Sequence, residues 1–180
     1  TIKELGESAG LFGIVTGTVK NLGIVNATFN STVTYRSGAI AGTVTATVEN
    51  VGRVENCYVI DSKILTNGSV CGAVAGAVYG GVVQNCYAVN NELSGYADRF
   101  GGISGDSRND AGWSGTVNNC YTDFVRVTSS QAGVTIGGEG SIQAERFQSG
   151  EVAYRLNGST TSLASVWRQN IGEDTYPVVD

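Results

Sequence analysis

The chain of 180 residues contains no histidine, no methionine and only one proline, Pro177. Without histidine it lacks the side chain most often used as a general base and as a metal ligand. Lys and Arg number 11 against 16 Asp and Glu, and no basic cluster is present for phosphate contacts, so we expect no nucleic-acid partner.

No apolar run approaches the roughly 20 residues that span a bilayer, and the first residues lack the features of a signal peptide. We therefore expect a soluble chain without membrane insertion, and a piece of a larger protein because it starts at Thr1.

Glycine is the abundant residue, with 26 copies, and 41% of the chain is apolar. The length and the apolar fraction suffice for one domain with a hydrophobic core. Many glycines with almost no proline indicate many tight bends and no polyproline linkers. This composition favours a fold of short strands and turns.

Two short sequence boxes recur in alternation along the chain. The first box is small and glycine-rich: "AGLFG" from Ala9, "GAIAG" from Gly38, "GAVAG" from Gly72, "GGISG" from Gly101 and, more faintly, "GVTIG" from Gly133. The second box follows each of the first four: "GTVKNLGIV" from Gly17, "GRVENCYVI" from Gly52, "GVVQNCYAV" from Gly81 and "GTVNNCYTD" from Gly115. A period of this size indicates a stack of similar units.

The units lack a helical stripe and are rich in Val, Ile, Thr and Tyr between Gly and Asn, so each predicts two or three short strands. Stacking them as coils buries apolar faces that one unit cannot bury alone. We predict an all-β, right-handed parallel β-solenoid (β-helix) of four to five coils over residues 1–141, closed by a capping segment over residues 142–180. A propeller is the rival, although its blades need roughly 40 residues or more, and a β-sandwich is a further alternative.

The second box predicts columns of equivalent side chains. Valine is expected to face inward and the polar residue after it outward, because side chains alternate along a strand; the valines are Val19, Val54, Val83 and Val117. The next residue is always asparagine, which tolerates left-handed backbone angles, so we predict an asparagine ladder that satisfies buried backbone groups at a corner; its members are Asn21, Asn56, Asn85 and Asn119. The residue after asparagine then points inward: Leu22, Cys57, Cys86 or Cys120.

Leu22 indicates that the cysteine position needs an apolar side chain rather than a sulfur. Buried free cysteine behaves as a small hydrophobe. A zinc site would need four converging ligands, and the chain has neither histidine nor a CxxC pair. Disulfides stay open as an alternative, but neighbours in a parallel stack suit the bridge geometry poorly. We expect four reduced thiols, with Cys71 outside any column, and no metal or cofactor.

The two boxes together resemble the GLUG repeat of large bacterial cell-surface proteins, including adhesins and the non-catalytic parts of surface peptidases. The resemblance covers roughly residues 9–127, and the tail from Ser149 is similar to the segment that often closes such arrays. It implies an exported module, surface-anchored or secreted, with a structural or adhesive role in a larger protein, and it implies no activity. A host or surface glycan, or a protein, would be the partner.

The capping segment predicts a short amphipathic helix, with Ser149 as N-cap and Gly158 as the residue that ends it. Because an open last coil exposes unpaired strand groups, we expect this segment to fold over the end of the solenoid. Trp167 is expected in its core.

An enzyme is the less favoured alternative, although β-helices host glycan-active enzymes that use paired carboxylates. Asp98, Asp106 and Asp110 share one insertion, which we interpret as a solvated polar loop that matches a calcium loop only loosely. We expect no catalytic residues.

A carbohydrate- or protein-binding module is the closer alternative, through exposed aromatic residues. Tyr58, Tyr87 and Tyr121 follow the inward cysteines and should form an outward ladder, or else pack on one another or beneath the cap. Trp113, with Tyr96 and Phe100, is a second candidate patch in the long insertion.

Overall fold

The strands that the structure describes are short, with two to five residues each. The structure is a computed structural model that describes residues 7–31, 35–107, 114–123, 126–129, 135–137, 141–159 and 166–179. Successive strands belong to five different sheets, and the chain returns to the first sheet after one coil. The described residues therefore form a parallel β-solenoid of four coils, with one strand of a fifth.

Each sheet is a stack of equivalent strands, paired in parallel with the next coil. Sheet I contains β1 (Ser8–Ala9), β6 (Arg36–Gly38), β11 (Val70–Gly72), β16 (Arg99–Gly101) and β21 (Thr135–Gly137). Sheet II contains β2 (Phe12–Val15), β7 (Ala41–Thr45), β12 (Ala75–Tyr79) and β17 (Ser104–Asp106). Sheet III contains β3 (Thr18–Lys20), β8 (Arg53–Glu55), β13 (Val82–Gln84) and β18 (Thr116–Asn118). Sheet IV contains β4 (Gly23–Val25), β9 (Tyr58–Ile60), β14 (Tyr87–Val89) and β19 (Tyr121–Thr122). Sheet V contains β5 (Thr28–Ser31), β10 (Lys63–Thr66), β15 (Glu92–Gly95) and β20 (Arg126–Ser129).

The capping segment follows the solenoid. It contains two short helices and an antiparallel pair of strands: α1 (Ala144–Gln148), α2 (Glu151–Leu156), β22 (Trp167–Arg168) and β23 (Val178–Val179). Among the described residues, no helix has the length and apolar character needed to cross a membrane.

The core of the solenoid consists of apolar columns, as the second box predicts. Val54 and Val83 pair in register in sheet III and are fully buried. Val19 and Val117, in the first and fourth coils, pack partly buried against the same core. The inward alternation of the second box is thus confirmed.

The glycines of the first box allow the backbones of sheets I and II to touch. A Cβ atom on Gly76 would lie 2.6 Å from the carbonyl oxygen of Gly42 and 2.6 Å from the amide nitrogen of Ser37. No real side chain fits at such distances from backbone atoms. The repeated box therefore marks a corner that is too thin for any side chain.

The first and the last boxes depart from the alignment that the sequence suggests. Ala9 pairs with Ser37, whereas Phe12 pairs with Ala41, so the first coil has one residue fewer at this corner. In the fifth strand of sheet I, Gly137 pairs with Gly101. The last box thus begins at Gly137 rather than at Gly133.

The four asparagines of the second box form a ladder at the corner between sheets III and IV. All four have positive φ values, between 48° and 55°. In the second, third and fourth coils, Nδ2 of the asparagine donates to Oδ1 of the asparagine in the preceding coil, at 3.2 Å for Asn56, 3.3 Å for Asn85 and 2.8 Å for Asn119. The predicted ladder is present, but it joins side chain to side chain on the outer edge instead of satisfying buried backbone groups.

Buried backbone groups are instead satisfied by polar side chains at the next corner, between sheets IV and V. The hydroxyl of Ser62 accepts from the backbone N–H of Ala27 at 3.1 Å, and Oδ1 of Asn91 accepts from the N–H of Ser62 at 2.9 Å. Nδ2 of Asn91 also donates to the carbonyl oxygen of Val59. This column was not predictable from the repeat, because the residue at its position changes from Ala27 to Ser62 to Asn91.

We expect Asn85→Gly to lower the free energy of unfolding by about 1 kcal/mol, because glycine accepts the positive φ and only the half-exposed ladder bonds are lost. Asn85→Ala should cost about 1 kcal/mol more, because alanine is strained in that conformation. Urea titrations of both variants measure the difference. Equal losses would show that the left-handed corner contributes nothing.

The cysteines line the core. Cys57 and Cys86 are fully buried, Cys120 is nearly so, and each thiol donates to the carbonyl oxygen two residues earlier at 3.1–3.2 Å. All four cysteines are free thiols. Cys71 lies outside the cysteine column and pairs in register with Ser37 and Phe100 in sheet I.

We expect none of the four native thiols to react rapidly with Ellman's reagent. They are buried, and burial raises the pKa of the Cys71 and Cys86 thiols, which further reduces the reactive thiolate. Four thiols should react at once when guanidinium chloride unfolds the chain. Fast labelling of the folded chain would show that the cysteine column faces solvent rather than the core.

Candidate functional site

The outer face of sheet IV carries two columns of apolar side chains. The first is the predicted tyrosine column, in which Tyr87 pairs in register with Tyr58 and with Tyr121. The second lies two residues further along each strand and includes Ile60 and Val89, which also pair in register. A strand with apolar residues at both outward positions requires a cover.

The capping segment supplies this cover with two helices instead of the one predicted. Gly150, with φ of 82°, is the N-cap of α2, whereas Ser149 is the C-cap of α1. The prediction for Ser149 was therefore wrong, because the chain turns at Gly150 between two helices. Gly158, with φ of 69°, follows the C-cap of α2, as predicted.

Tyr87 is at the centre of the contact between the cap and the solenoid. Its ring stacks on Tyr58 with centroids 5.4 Å apart and an angle of 7°, and it meets Trp167 at 5.4 Å and Phe147 at 5.6 Å. Its hydroxyl donates to the carbonyl oxygen of Pro177 at 2.5 Å, and burial raises the pKa of this phenol, so it stays protonated.

The tyrosine column faces away from the solenoid core but is not an open ladder. Tyr87 has no exposed surface, and Tyr58 and Tyr121 are half-buried against the cap. The alternative interpretation, packing beneath the cap, is confirmed for these rings. Trp167 is buried in the same cluster, as predicted.

The described contacts place the cap on the flank of the solenoid. Its helices pack on sheet IV across Tyr58, Tyr87 and Tyr121, which belong to the second, third and fourth coils. The backbone N–H of Ile142 donates to the carbonyl oxygen of Thr122, which joins the start of the cap to β19. Among the described residues, the segment covers the end of the solenoid where Ser141 and Ile142 pair with Thr122 of β19, whereas its helices cover the apolar columns along the side.

One predicted residue, Tyr121, lies beside an open cleft where α2 meets the asparagine ladder. This cap cleft has a volume of about 570 Å³ and is lined by Asn119, Tyr121, Glu151, Tyr154, Arg155, Gly158 and Ser159. The solenoid supplies two of these residues and the cap supplies the other five.

Asn119 connects the two sides of the cap cleft. Its Nδ2 donates to Oδ1 of Asn85 and, at 3.1 Å, to the carbonyl oxygen of Arg155. Its Oδ1 accepts a hydrogen bond of 2.6 Å from the hydroxyl of Tyr121. The last ladder residue thereby orients one aromatic ring of the cleft.

The charged residues of the cap cleft form one ion pair. Nη2 of Arg155 lies 2.5 Å from Oε1 of Glu151, and Nη1 of Arg146, outside the cleft, lies 2.9 Å from the same oxygen. The hydrogen bond to Glu151 is the first cause that raises the pKa of Arg155. The guanidinium therefore keeps its charge, and the lining charges of the cleft cancel.

The other predicted candidates do not gather at this site. Trp113 and Asp110 lie outside the described residues. Tyr96 is exposed, but Phe100 is fully buried in the core and cannot share a surface patch with it.

The described carboxylates of the insertion are separated by burial. Asp98 is exposed, as expected of a solvated loop. Asp106 ends β17, is 5% exposed and forms an ion pair with Arg99, so its assignment to a solvated loop was wrong. In the part of the chain that the structure describes, no three His, Cys, Asp or Glu side chains are placed to hold a metal ion.

None of the predicted site residues lies on the cap side of the cleft, which includes Glu151, Tyr154 and Arg155. The signal lies in the helical period of "EVAYRL", where Val152, Ala153 and Leu156 are buried and these three residues are not. Tyr154 is 45% exposed, and an aromatic ring on the outer face of a short helix is a candidate contact residue.

Comparison with known proteins leaves the family open. No protein-family model matches the chain, so the GLUG similarity stays a resemblance. No curated protein matches it either. Among solved structures, a Bacteroides ovatus protein described as a "putative immunoglobulin A1 protease" is similar at 19% identity with a TM-score of 0.43, over 98% of this chain and 74% of that one. At that identity and score the similarity assigns no function.

Proposed function

We propose that the chain is a non-catalytic repeat module, exported to the bacterial surface, with a structural or adhesive role in a larger protein. The observation that carries the proposal is the continuity of the stack. Equivalent strands pair coil to coil in all five sheets, and the asparagine ladder passes through four coils before it ends on the backbone of α2. Such a stack suits a rigid spacer or a display surface.

The arrangement of acids supports a non-catalytic role over a glycan-active enzyme. Glycosidases place two carboxyl groups on either side of the bond that they cut. Here Asp98 is exposed, whereas Asp106 is buried against Arg99, and Glu151 in the cap cleft pairs with two arginines. These three acids have different environments and form no such pair.

Surface labelling tests the proposed location. An antibody raised against the chain should label intact cells of the source bacterium, and protease treatment of those cells should remove the label. Labelling that appears only after the cells are permeabilised would overturn the proposal.

Turnover assays test the proposed lack of catalysis. The purified chain should release no product from a panel of plant, bacterial and host polysaccharides or from host glycoproteins, including immunoglobulin A1. Product release that disappears in Asp98→Asn or Glu151→Gln, with the folded spectrum retained, would make the chain an enzyme.

A further inference from the structure

The cap cleft combines a polar, preorganised floor with an exposed aromatic wall. Its volume of about 570 Å³ lies within the range of ligand sites, about 300–1,000 Å³. It forms where the cap meets the solenoid, and ligand sites commonly lie between packed parts of a chain.

The aromatic wall fits the apolar face of a sugar ring. Tyr154 is 45% exposed, and Tyr121, half-buried, lines the same cleft. A phenol ring presents a flat apolar surface and a polar edge, and the C–H groups on one face of a pyranose match this combination. The bond from Tyr121 to Asn119 fixes one of the two rings before any ligand arrives.

The polar groups offer both acceptors and donors beside these rings. Both ion pairs of Glu151 use Oε1, so Oε2 can accept from a ligand hydroxyl. Arg155 gives one N–H group to Glu151, and the planar guanidinium has others to donate. Adjacent hydroxyls of one sugar can therefore donate to Glu151 and accept from Arg155.

Charge decides between neutral and anionic ligands. The lining contains one carboxylate and one guanidinium that are already paired, so it offers an anion no unpaired cation. A neutral polyol needs no unpaired cation and still uses both groups. We propose that the cap cleft binds a neutral saccharide, independently of the structural role proposed above.

The test is a titration of the whole chain, followed by protein-detected NMR, with lactose, cellobiose, chitobiose and mannobiose. At least one should bind with a Kd in the range of about 1 mM, typical of a shallow open site. Tyr154→Ala should weaken that binding at least tenfold. Tyr96→Ala, which removes another exposed tyrosine outside the cleft, is the matched control and should bind as the native chain does.

Three results would overturn the proposal. One is that none of the four disaccharides shifts the spectrum. Another is that Tyr154→Ala and Tyr96→Ala bind alike, which would place the ligand elsewhere. The third is that methyl β-D-glucuronide binds more tightly than methyl β-D-glucoside, which would make the cleft a site for acidic sugars. Because Tyr154 is exposed, the variant should keep the native circular dichroism spectrum.

Discussion

Gly76→Val is expected to leave the solenoid largely unfolded, with a loss of more than about 4 kcal/mol in the free energy of unfolding. The added Cβ would lie 2.6 Å from backbone atoms of both Gly42 and Ser37, and backbone at the centre of two sheets cannot move aside. Far-UV circular dichroism and urea titration measure the loss.

Gly17→Val is the matched control, because a Cβ at Gly17 would meet no atom within 4 Å. This variant should unfold within about 0.5 kcal/mol of the native chain. If Gly76→Val and Gly17→Val had the same unfolding midpoint, the sheets could not touch at the glycine corner.

Tyr87→Ala is expected to cost about 3–5 kcal/mol and to release the cap from sheet IV. The ring fills the centre of the interface between Trp167 and Phe147, and its loss removes a fully buried contact. In a Trp113→Phe background, the fluorescence of Trp167 should shift to the red as the indole meets water.

Two further variants distinguish the contribution of the Tyr87 ring from that of its hydroxyl and from the effect of losing any tyrosine. Tyr87→Phe should cost about 1–3 kcal/mol, because the carbonyl oxygen of Pro177 loses its donor. Tyr96→Ala, at an exposed ring, should leave the fluorescence of Trp167 unchanged. An unshifted spectrum in Tyr87→Ala would contradict the docking of the cap on the tyrosine column.

The repeat made much of the solenoid predictable. Residues at one position of a stacked unit share one environment, so Val54 and Val83 could be placed together before any contact was known. The exchange of Leu22 for cysteine likewise marked an apolar position, and the structure buries Cys57 and Cys86. The parallel solenoid with a short terminal helical segment is confirmed.

The position of the cap was not predictable from the repeat, because it depends on contacts between distant parts of the chain. The tyrosines alone left both an open ladder and a covered face possible. Ile60 and Val89 indicate a covered face, since these apolar residues occupy the second outward position of the same strands. A polar column at that position would have indicated an open face.

The candidate site was only half predictable for a related reason. Tyr121 belongs to a repeat and could be identified by its spacing. Tyr154 and Arg155 lie on a six-residue helix that occurs once, so no internal comparison distinguishes them. Their approach to Asn119 follows from how the cap docks, which is a tertiary event.

The interchangeability of the coils is the central claim, and lengthening the solenoid tests it most directly. Two extra copies of residues 28–62 can follow Ser62, because Thr28 and Lys63 occupy the same register. Tyr58→Gly in the two upstream copies keeps a glycine beneath the last Tyr58 ring, as Gly23 lies beneath it now. The contacts of the cap then remain native.

Small-angle X-ray scattering of this variant measures the outcome. Each coil adds about 4.8 Å along the stack, so the maximum dimension should increase by about 10 Å while cooperative unfolding is retained. An unfolded variant, or one whose maximum dimension is unchanged, would contradict a stack of interchangeable coils.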